Sequence, residues 1–417
     1  MSILPLKGIY YNPEKIKKLH HVVCPPYDLI TPEQIKLYQQ KSPFNVVNLI
    51  LRKPPLIKEY KKVRKLIKQW IECKVLKEEQ KPCIYPYCIS YNYNGEKKEL
   101  KGFIGLFDLR YLKNVYAHEK TYRGPKEDRF KLMKASGYQL SPVYLVSINK
   151  NRKIQNFVEQ LCKNTKPISC AYDNFRCLHR LYKIETNSFI QKELQSFKHW
   201  KFLIADGHHR FSSALKYREF IKNKLRNLPK LHPANYILCF FSDLYQEGLV
   251  LDTFYRGIIK NLSIEDVLGK IKKYFDIQKL SNLGEIKQIY NYNNFCVGMA
   301  FKGNYYILHL KKEVKIKKFF DSHLHPLLKI DTFILHNFLF EKVLNWKLKE
   351  EKIIYSPEWK FIKNFSKNYP VFIPRYVRKE IIPQIVKKGL LFPHKSTYFF
   401  PKLLSGLIIR RVENGII

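Results

Sequence analysis

The apolar runs in this sequence are short, and their length constrains the fold more than any other feature. VYLV at 143–146 and ILCFF at 237–241 have the length of strands, far below the roughly 18 residues that cross a bilayer. They alternate with amphipathic segments such as 57–74, where Tyr60, Val63 and Ile67 have the spacing of one buried helix face. The sequence therefore predicts a mixed α/β (α+β) fold with no transmembrane helix, and we expect no membrane partner.

The length predicts more than one domain. A chain of 417 residues corresponds to roughly two or three domains of about 100–200 residues each. We predict an N-terminal lobe over 1–260 and a smaller α+β lobe over 261–417. The first residues lack an apolar signal core. The nine cysteines form no CxxC pair, which is typical of reduced thiols rather than a disulfide framework. We therefore expect a cytoplasmic protein.

The net charge is strongly positive and has two explanations. Lysine and arginine number 76 against 35 acidic residues, which gives +41, and such an excess is typical of proteins that bind polyanions. The chain is also rich in residues read from A/T-heavy codons and has only 16 glycines. Its basic residues are dispersed, for example over 52–70 and 311–320. This dispersion favours charge on solvated faces, and a selected polyanion surface remains the alternative.

Several segments carry local signals of secondary structure. Residues 19–30 predict a strand that ends at the Pro-Pro pair. Thr31 then has the position of an N-cap, with Pro32 at N1 and Gln34 completing a capping box. Asn94-Gly95 predicts a hairpin turn between strands at 83–93 and 100–109. A further helix is predicted over 125–135.

The stretch from Lys201 to Leu215 predicts a phosphate site. An apolar strand ends at Asp206, Gly207 permits a tight turn, and a helix begins at His208 and His209. The N-terminus of a helix attracts anions, and the Arg210 guanidinium suits phosphate oxygens. Asp206 could hold Mg²⁺ or accept a proton. The alternative is that Asp206 caps the helix and that both histidines lie on the surface.

A second stretch combines a carboxylate with cations. His118 and Glu119 precede a loop, and Lys126 and Arg129 have the i, i+3 spacing of one helix face. A carboxylate near cations suits a general base beside a phosphoryl group. A surface ion-pair cluster is the alternative.

Three shorter segments are weaker candidates. His323 and His325 would share one face of a strand and could bind a metal, although no third ligand is defined. Lys395 and Ser396 could meet a phosphate or a carboxylate, with a structural turn as the alternative. Tyr27 and Asp28 follow the Pro-Pro turn and could form a pocket wall.

Six segments in order resemble the domain of unknown function (DUF) family 1015 over nearly the whole chain. They are CPPYDLIT (24–31), HEKTYRGPKEDR (118–129), SPVYLV (141–146), ADGHHR (205–210), GLVLDTFYR (248–256) and HKSTYFFPKLLSGL (394–407). That family is similar to the ParB/sulfiredoxin superfamily, some relatives of which are free-serine kinases. The resemblance implies a ParB/sulfiredoxin-like N-terminal lobe and a nucleotide-dependent kinase, using ATP or ADP with Mg²⁺, that converts free L-serine to O-phosphoserine. One position departs from the family. The family typically has a Thr-His-Arg sequence here, and this chain has Tyr255 in place of the histidine and Arg256 at the position of the arginine. If that histidine has a role, the role is lost in this chain or passes to Tyr255.

The kinase hypothesis gives each candidate residue a role. Catalysis is assigned to Glu119 as base, to Asp206, which is also the metal ligand, and to His209. Phosphate binding is assigned to Gly207, His208, Arg210, Lys126, Arg129 and Lys395, and the substrate pocket to Tyr27, Asp28, His118 and Ser396. Two other classes are alternatives: a ParB-like nucleic-acid-binding protein and a nucleotide sensor without catalysis. Against nucleic acid, the sequence has no basic arm and no helix-turn-helix pattern.

Overall fold

The chain forms two compact units. The computed structural model describes residues 2–51, 56–119, 123–346 and 352–413. Unit 1 comprises Met1–Ala117, Thr121–Val250 and Pro401–Ile417, and unit 2 comprises His118–Lys120 and Leu251–Phe400. The chain therefore changes unit at residue 251, and its last segment belongs to unit 1. No helix in the described ranges has the length and apolar character needed to cross a membrane.

Helices occur in both units. The α-helices are Pro32–Lys41 (α1), Val47–Ile50 (α2), Ile57–Glu72 (α3), Arg123–Ser136 (α4), Lys153–Cys162 (α5), Ser188–Ser196 (α6), His208–Leu225 (α7), Ile264–Ile271 (α8), Asp331–Ile334 (α9), Trp359–Phe365 (α10) and Ile381–Val386 (α11). A π-helical segment, Leu335–Val343, continues α9. The 3₁₀ helices are Leu19–His21, Tyr27–Leu29, Leu109–Asn114, Pro233–Asn235, Leu283–Asn291, Ile316–Phe319 and Ser322–Lys329.

The strands are mostly short. They are Ile3–Leu4 (β1), Ile9–Tyr11 (β2), Leu76–Glu78 (β3), Cys83–Tyr93 (β4), Glu96–Asp108 (β5), Val115–Tyr116 (β6), Tyr138–Gln139 (β7), Val143–Ser147 (β8), Ser169–Tyr172 (β9), Leu178–Leu181 (β10), Ile184–Glu185 (β11), Phe202–Asp206 (β12), Tyr236–Asp243 (β13), Val250–Asp252 (β14), Tyr255–Ile258 (β15), Phe275–Leu280 (β16), Cys296–Phe301 (β17), Asn304–Leu310 (β18), Ile353–Ser356 (β19), Val371–Ile373 (β20), Tyr398–Phe400 (β21) and Arg410–Arg411 (β22).

Unit 1 is built on a mixed sheet. Its strand order is β6-β12-β8-β13-β5-β4-β10-β9, with β1 paired to β5 and β11 to β4. Strand β8 runs parallel to β13 and antiparallel to β12. Helices α4, α5, α6 and α7 contribute apolar side chains to the core on this sheet, including Phe130, Phe157 and Phe211. The fold class is therefore mixed α+β, as predicted.

Unit 2 has a separate sheet with its own cores. The strand order is β16-β18-β17-β20-β15-β19, and its pairs are antiparallel. One core cluster contains Phe275, Phe338 and Phe372, and another contains Ile286 and Ile373. Neighbours along β17 and β20 supply both clusters because alternate strand residues point to opposite faces.

The local signals at turns and helix starts are confirmed. Thr31 caps α1, and both hydrogen bonds of the capping box with Gln34 are present. Asn94 and Gly95 have positive φ angles of 50° and 85°, and they join β4 to β5. Helix α3 buries Tyr60, Val63, Ile67 and Trp70 along one face. These predictions succeed because each depends on contacts within a few residues.

Two strand predictions are wrong. Residues 19–30 form two 3₁₀ turns instead of a strand. The side-chain amide of Asn45 donates to the His21 carbonyl, and the Tyr11 hydroxyl donates to the Val22 carbonyl. Side chains therefore form hydrogen bonds to carbonyls that would be paired with a neighbouring strand in a sheet. His323 and His325 lie in a 3₁₀ helix, where the alternation of a strand does not apply. Among the described residues, no group of three or more His, Cys, Asp or Glu could hold a metal ion.

Candidate functional site

The predicted phosphate turn lies between β12 and α7 in unit 1. The pairing of β12 with β8 shifts register between Ile204 and Asp206, and such a bulge re-aims the side chain at the end of a strand. Gly207 follows with φ of 91° and is the N-cap of α7. A Cβ at this position would come within 2.9 Å of the Arg210 guanidinium. The positive φ favours glycine, and a Cβ would also displace the Arg210 guanidinium.

Asp206 binds two cations. Its Oδ2 accepts from Arg210, and its Oδ1 lies 3.2 Å from the Lys402 ammonium. Arg210 also donates to the Pro142 carbonyl. The N-cap position of α7 is occupied by Gly207, which has no side chain with which to make a cap hydrogen bond. Two cations around one carboxylate leave a positive surplus beside a helix N-terminus, which favours an anion.

His208 is a neutral imidazole in this arrangement. It is half-buried, as is His209, so neither histidine is a fully exposed surface residue. Burial lowers the pKa of His208 to about 3, and the nearby Arg210 and Lys402 charges act in the same direction against the Asp206 carboxylate. A neutral imidazole can donate one hydrogen bond and accept another. His208 can thus bind a phosphate oxygen without carrying a charge.

A second arginine lies against Tyr27. The Arg129 guanidinium is 4.3 Å from the centre of the Tyr27 ring, and it donates to the Ile50 carbonyl and to Asp128. Tyr27, Arg129 and Arg210 line one cavity of about 60 Å³. That volume holds a few waters or one small group rather than a whole nucleotide. The structure therefore places two guanidinium groups and a tyrosine ring around one small space.

The remaining unit 1 candidates differ in position. The Ser213 hydroxyl contacts the carbonyls of both Lys126 and His209, which links α4 to the first turn of α7. Asp28 lies in the same 3₁₀ turn as Tyr27 but is exposed, and it is not among the residues that line the cavity. Lys126 is thus held beside the phosphate turn, while Asp28 faces away from the cavity.

His118 is buried in unit 2. It is 1% exposed, its Nε2 lies 2.7 Å from the Thr397 hydroxyl, and its ring sits between those of Phe392 and Phe399. The nearest oxygen of Glu119 is 3.7 Å from Nε2. His118 is therefore not a surface residue, whereas Glu127 and Asp128 of the same stretch form ion pairs with Lys216 and Arg129. Residues 120–122 of the same predicted motif lie outside the described residues.

Lys395 and Ser396 are fixed by hydrogen bonds within unit 2. Ser396 is fully buried, donates to the Pro393 carbonyl at 2.6 Å and lies 2.6 Å from the Thr332 hydroxyl. Lys395 has a positive φ of 56°, and its ammonium is 4.9 Å from the Phe254 ring centre. A non-glycine residue in this conformation persists only where its surroundings hold it.

Arg256 holds the backbone of Lys395 in this conformation. It is fully buried and donates to the carbonyls of Phe254 and Lys395 and to His336 Nε2. Burial lowers its pKa to about 10, against the opposing influence of Tyr355 and Glu119. Burial together with the Arg256 charge also lowers the pKa of His336, in agreement with an unprotonated Nε2 that accepts from Arg256. His336 is distant in sequence and carries no motif, so sequence reasoning missed it.

A family model described as "Protein of unknown function (DUF1015)" matches residues 3–333. The chain belongs to this family. The match includes the turn at 206–210 and strand β15. Tyr255 packs in a core cluster of unit 2 with its ring 6.0 Å from that of Trp359, whereas Arg256 points to the other face of β15. Tyr255 is therefore a core residue.

Solved structures similar to this chain have low sequence identity. SbnI with a C-terminal truncation from Staphylococcus aureus is 9% identical with a TM-score of 0.38, over 72% of this chain and 85% of that chain. A free serine kinase in complex with AMP is 13% identical with a TM-score of 0.35, over 70% and 86%. A mutant free serine kinase in complex with ADP is 14% identical with a TM-score of 0.37, over 70% and 86%. No curated protein matches this sequence. Identities this low assign no site residue in the present chain.

The predicted site residues thus fall into two groups. Tyr27, Asp28, Lys126, Arg129 and residues 206–210 belong to unit 1, where Lys402 joins them. His118, Glu119, Lys395 and Ser396 belong to unit 2, with Arg256 beside them. Within each group, distant segments of the chain are brought together.

Proposed function

We propose that this protein is a nucleotide-dependent kinase that phosphorylates the hydroxyl of a small molecule, with free L-serine as acceptor and ATP or ADP as donor. The observation that carries the proposal is the turn at 206–210. It combines a glycine-permitted close approach, the N-terminus of an 18-residue helix and two cations around one carboxylate. Phosphoryl transfer asks the protein mainly to position reactants and stabilise charge, and this turn supplies both. The ParB/sulfiredoxin likeness is part of the same proposal.

The proposed roles in unit 1 concern the phosphates. Arg210 and Lys402 attract the phosphate oxygens, and His208 donates a hydrogen bond without adding charge. Asp206 holds both cations in place while the site is empty of anion. Arg129 and Lys126 extend the positive potential, and Tyr27 lines the cavity between the two arginines. His209 remains the sequence-based candidate for a catalytic residue. It lies at the start of α7, where its backbone carbonyl accepts a hydrogen bond from the Ser213 hydroxyl.

The candidates in unit 2 keep the roles that the kinase hypothesis gives them. In the transfer, the hydroxyl oxygen of the acceptor bonds to phosphorus, the bond from phosphorus to the donor's bridging oxygen breaks, and the hydroxyl proton passes to a base, for which Glu119 is the candidate from the sequence. His118 and Ser396 are buried and hydrogen-bonded to Thr397 and Thr332, so we assign them an indirect role, in which they hold the residues around them in place. Lys395 contributes a cation whose backbone Arg256 holds.

The residues of the phosphate turn do not form a metal site by themselves. Asp206 is a single carboxylate, and both its oxygens are bound to cations. Mg²⁺ usually binds proteins through one or two carboxylates together with substrate phosphates and waters. We therefore include Mg²⁺ as the ion that accompanies the nucleotide phosphates and assign no step of the reaction to it.

The test is a product assay with matched variants. Purified protein is incubated with Mg²⁺, ATP or ADP, and L-serine, and O-phosphoserine is measured by mass spectrometry, with other small alcohols as a panel. Asp206→Asn and Arg210→Ala are expected to lower turnover by about 100-fold or more, the usual effect of removing one charge-stabilising group, with unchanged circular dichroism. Full activity in both variants would refute the site. Nucleotide binding without product from any acceptor would identify a sensor instead of a kinase.

A further inference from the structure

Unit 2 contains a large cleft that the proposed reaction does not use. Its volume is about 820 Å³, which lies within the range of about 300–1,000 Å³ typical of ligand sites. The walls come from the segment around Tyr290, the loop after β18 and the stretch from Arg375 to Gln384. None of the predicted site residues lines it. The cleft is therefore a candidate site for a ligand that takes no part in the proposed reaction.

The charge of the cleft is positive. Its described lining contains five cationic side chains and two carboxylates, and one carboxylate, Asp331, is already bound by Arg375 at 2.6 Å. Lys312, Lys329 and Arg378 are exposed, and Lys311 is half-buried. Lys312 and Arg378 can turn toward a ligand because they are exposed, and the Lys329 ammonium donates to Gln384 of the same lining. Such an arrangement favours an anion with several negative charges.

The cleft also presents aromatic rings to solvent. Tyr290 and Tyr376 stack on each other with ring centres 5.4 Å apart and an angle of 28° between the planes. They are 37% and 46% exposed, an unusual position for two large rings that could be buried elsewhere. A preformed stack offers a flat outer face on which a nucleobase can stack, and stacking of bases on aromatic side chains is a major contribution to the binding of single strands.

Amide side chains complete the lining. Asn293, Asn294 and Gln384 are exposed along the same cleft, and amides can both donate to and accept from the edges of bases. A polyanion without bases would contact the cations and would make no stacking contact with the rings. Cations, stacked rings and amides together match a ligand that has both phosphates and bases.

We propose that this cleft of unit 2 binds single-stranded nucleic acid, with Lys311, Lys312 and Arg378 on the phosphates and the Tyr290–Tyr376 stack on a base. Duplex nucleic acid fits less well, because its bases are already stacked and the tyrosine faces would have no partner. The proposal is independent of the kinase reaction, and it gives part of the positive charge of the chain a specific use.

The first experiment separates the cleft from dispersed charge. Binding of a fluorescent single strand of about 15 nucleotides, as RNA and as DNA, is measured by anisotropy with the full chain. The cleft variant Lys311→Gln/Lys312→Gln/Arg378→Gln removes three charges. The control Lys272→Gln/Lys363→Gln/Lys367→Gln removes three exposed charges of unit 2 outside the cleft. We expect at least a tenfold loss for the cleft variant and less than about twofold for the control.

Salt dependence gives a second readout from the same samples. Each phosphate contact on a single strand contributes about −0.7 to the slope of log affinity against log salt concentration. The cleft variant should therefore flatten the slope by about two. Equal losses and equal slopes for the two triple variants would overturn the proposal and would assign the binding to charge spread over the surface.

The tyrosines test the role of the bases. Tyr290→Ala/Tyr376→Ala should weaken single-strand binding about tenfold or more while leaving heparin binding unchanged, because heparin has charges but no bases. If the double variant is misfolded, photocrosslinking of bromouridine-substituted RNA to the intact protein replaces it, with adducts expected within 290–294 or 375–384. Unchanged binding in a folded double variant, crosslinks confined to other segments, or no binding by the native chain would each refute the proposal.

Discussion

The two units treat their central arginines in opposite ways. Arg210 of unit 1 is ion-paired with Asp206, and both side chains retain some exposure, 14% and 17%. Arg256 of unit 2 is fully buried and donates to two carbonyls and a neutral imidazole. A pair that is not fully buried can exchange partners with an incoming anion. A buried cation with neutral acceptors orders the backbone around it. The comparison predicts that Arg210 serves ligand binding and that Arg256 serves positioning.

The largest effect is expected from Arg256→Ala. The substitution removes the donor of the Phe254 and Lys395 carbonyls and of His336, and buried acceptors that lose their donors cost about 1–3 kcal/mol each. We expect unfolding to become easier by about 3 kcal/mol or more, measured as a fall in the melting temperature. The exposed Arg378→Ala is the matched control and should change the melting temperature little. Equal effects of the two substitutions would break the comparison.

Asp243 tests whether unit 1 also contains a buried charge that lowers the stability of the folded state. This carboxyl is fully buried and accepts a hydrogen bond from the backbone N–H of Gln155. Burial raises its pKa to about 6 against the influence of backbone hydrogen bonds, above about 3.9 for an ordinary aspartate. The folded state therefore binds the proton more tightly than the unfolded state. The resulting stability is fully present below about pH 4 and is lost as the pH rises through about 6.

Asp243→Asn should remove this pH dependence. A shift of about two pKa units corresponds to about 3 kcal/mol. The variant should therefore gain about that much relative to the native protein between pH 4 and pH 7. Melting temperatures of both proteins at the two pH values measure the gain. A constant difference across the range would show that Asp243 does not titrate as described.

Arg210 should affect ligand binding far more than stability. Arg210→Ala removes one partner of an ion pair whose side chains are 14% and 17% exposed, and it removes a guanidinium from the turn at 206–210. We expect at least a tenfold loss of nucleotide affinity in calorimetric titrations, with a smaller fall in melting temperature than Arg256→Ala produces. Arg210→Lys keeps the charge without the planar fork and should show an intermediate loss. A large fall in melting temperature together with intact affinity would reverse the assignment of the two arginines.

The smallest effect is expected at Thr397. Thr397→Val keeps the shape of the side chain but removes its hydrogen bond to His118, which typically contributes about 1 kcal/mol. The melting temperature should fall by a few degrees, and Thr397→Ser should restore most of the loss because it keeps the hydroxyl. If valine and serine have the same effect, packing of the methyl group rather than the hydrogen bond holds His118.

Features with short-range causes could be predicted from the sequence. The capping box at Thr31, the hairpin at Asn94-Gly95 and the turn at Gly207 are each specified by neighbours within a few residues. The strand predicted at 19–30 failed because the amide of Asn45, about twenty residues away, satisfies its backbone. Local patterns indicate which conformations a segment can adopt, but they contain no information about distant hydrogen-bond partners.

The sequence by itself determined the mixed α+β class, the strand-turn-helix at 201–215 and most of the side chains that the kinase proposal uses. Only the tertiary structure decided what surrounds them. Lys402 lies 196 positions from Asp206, Thr397 lies 279 from His118, and Lys395 lies 139 from Arg256. The physical reason is that burial and electrostatic pairing depend on distance in space. Lys402 pairs with Asp206 only because folding brings the two side chains together.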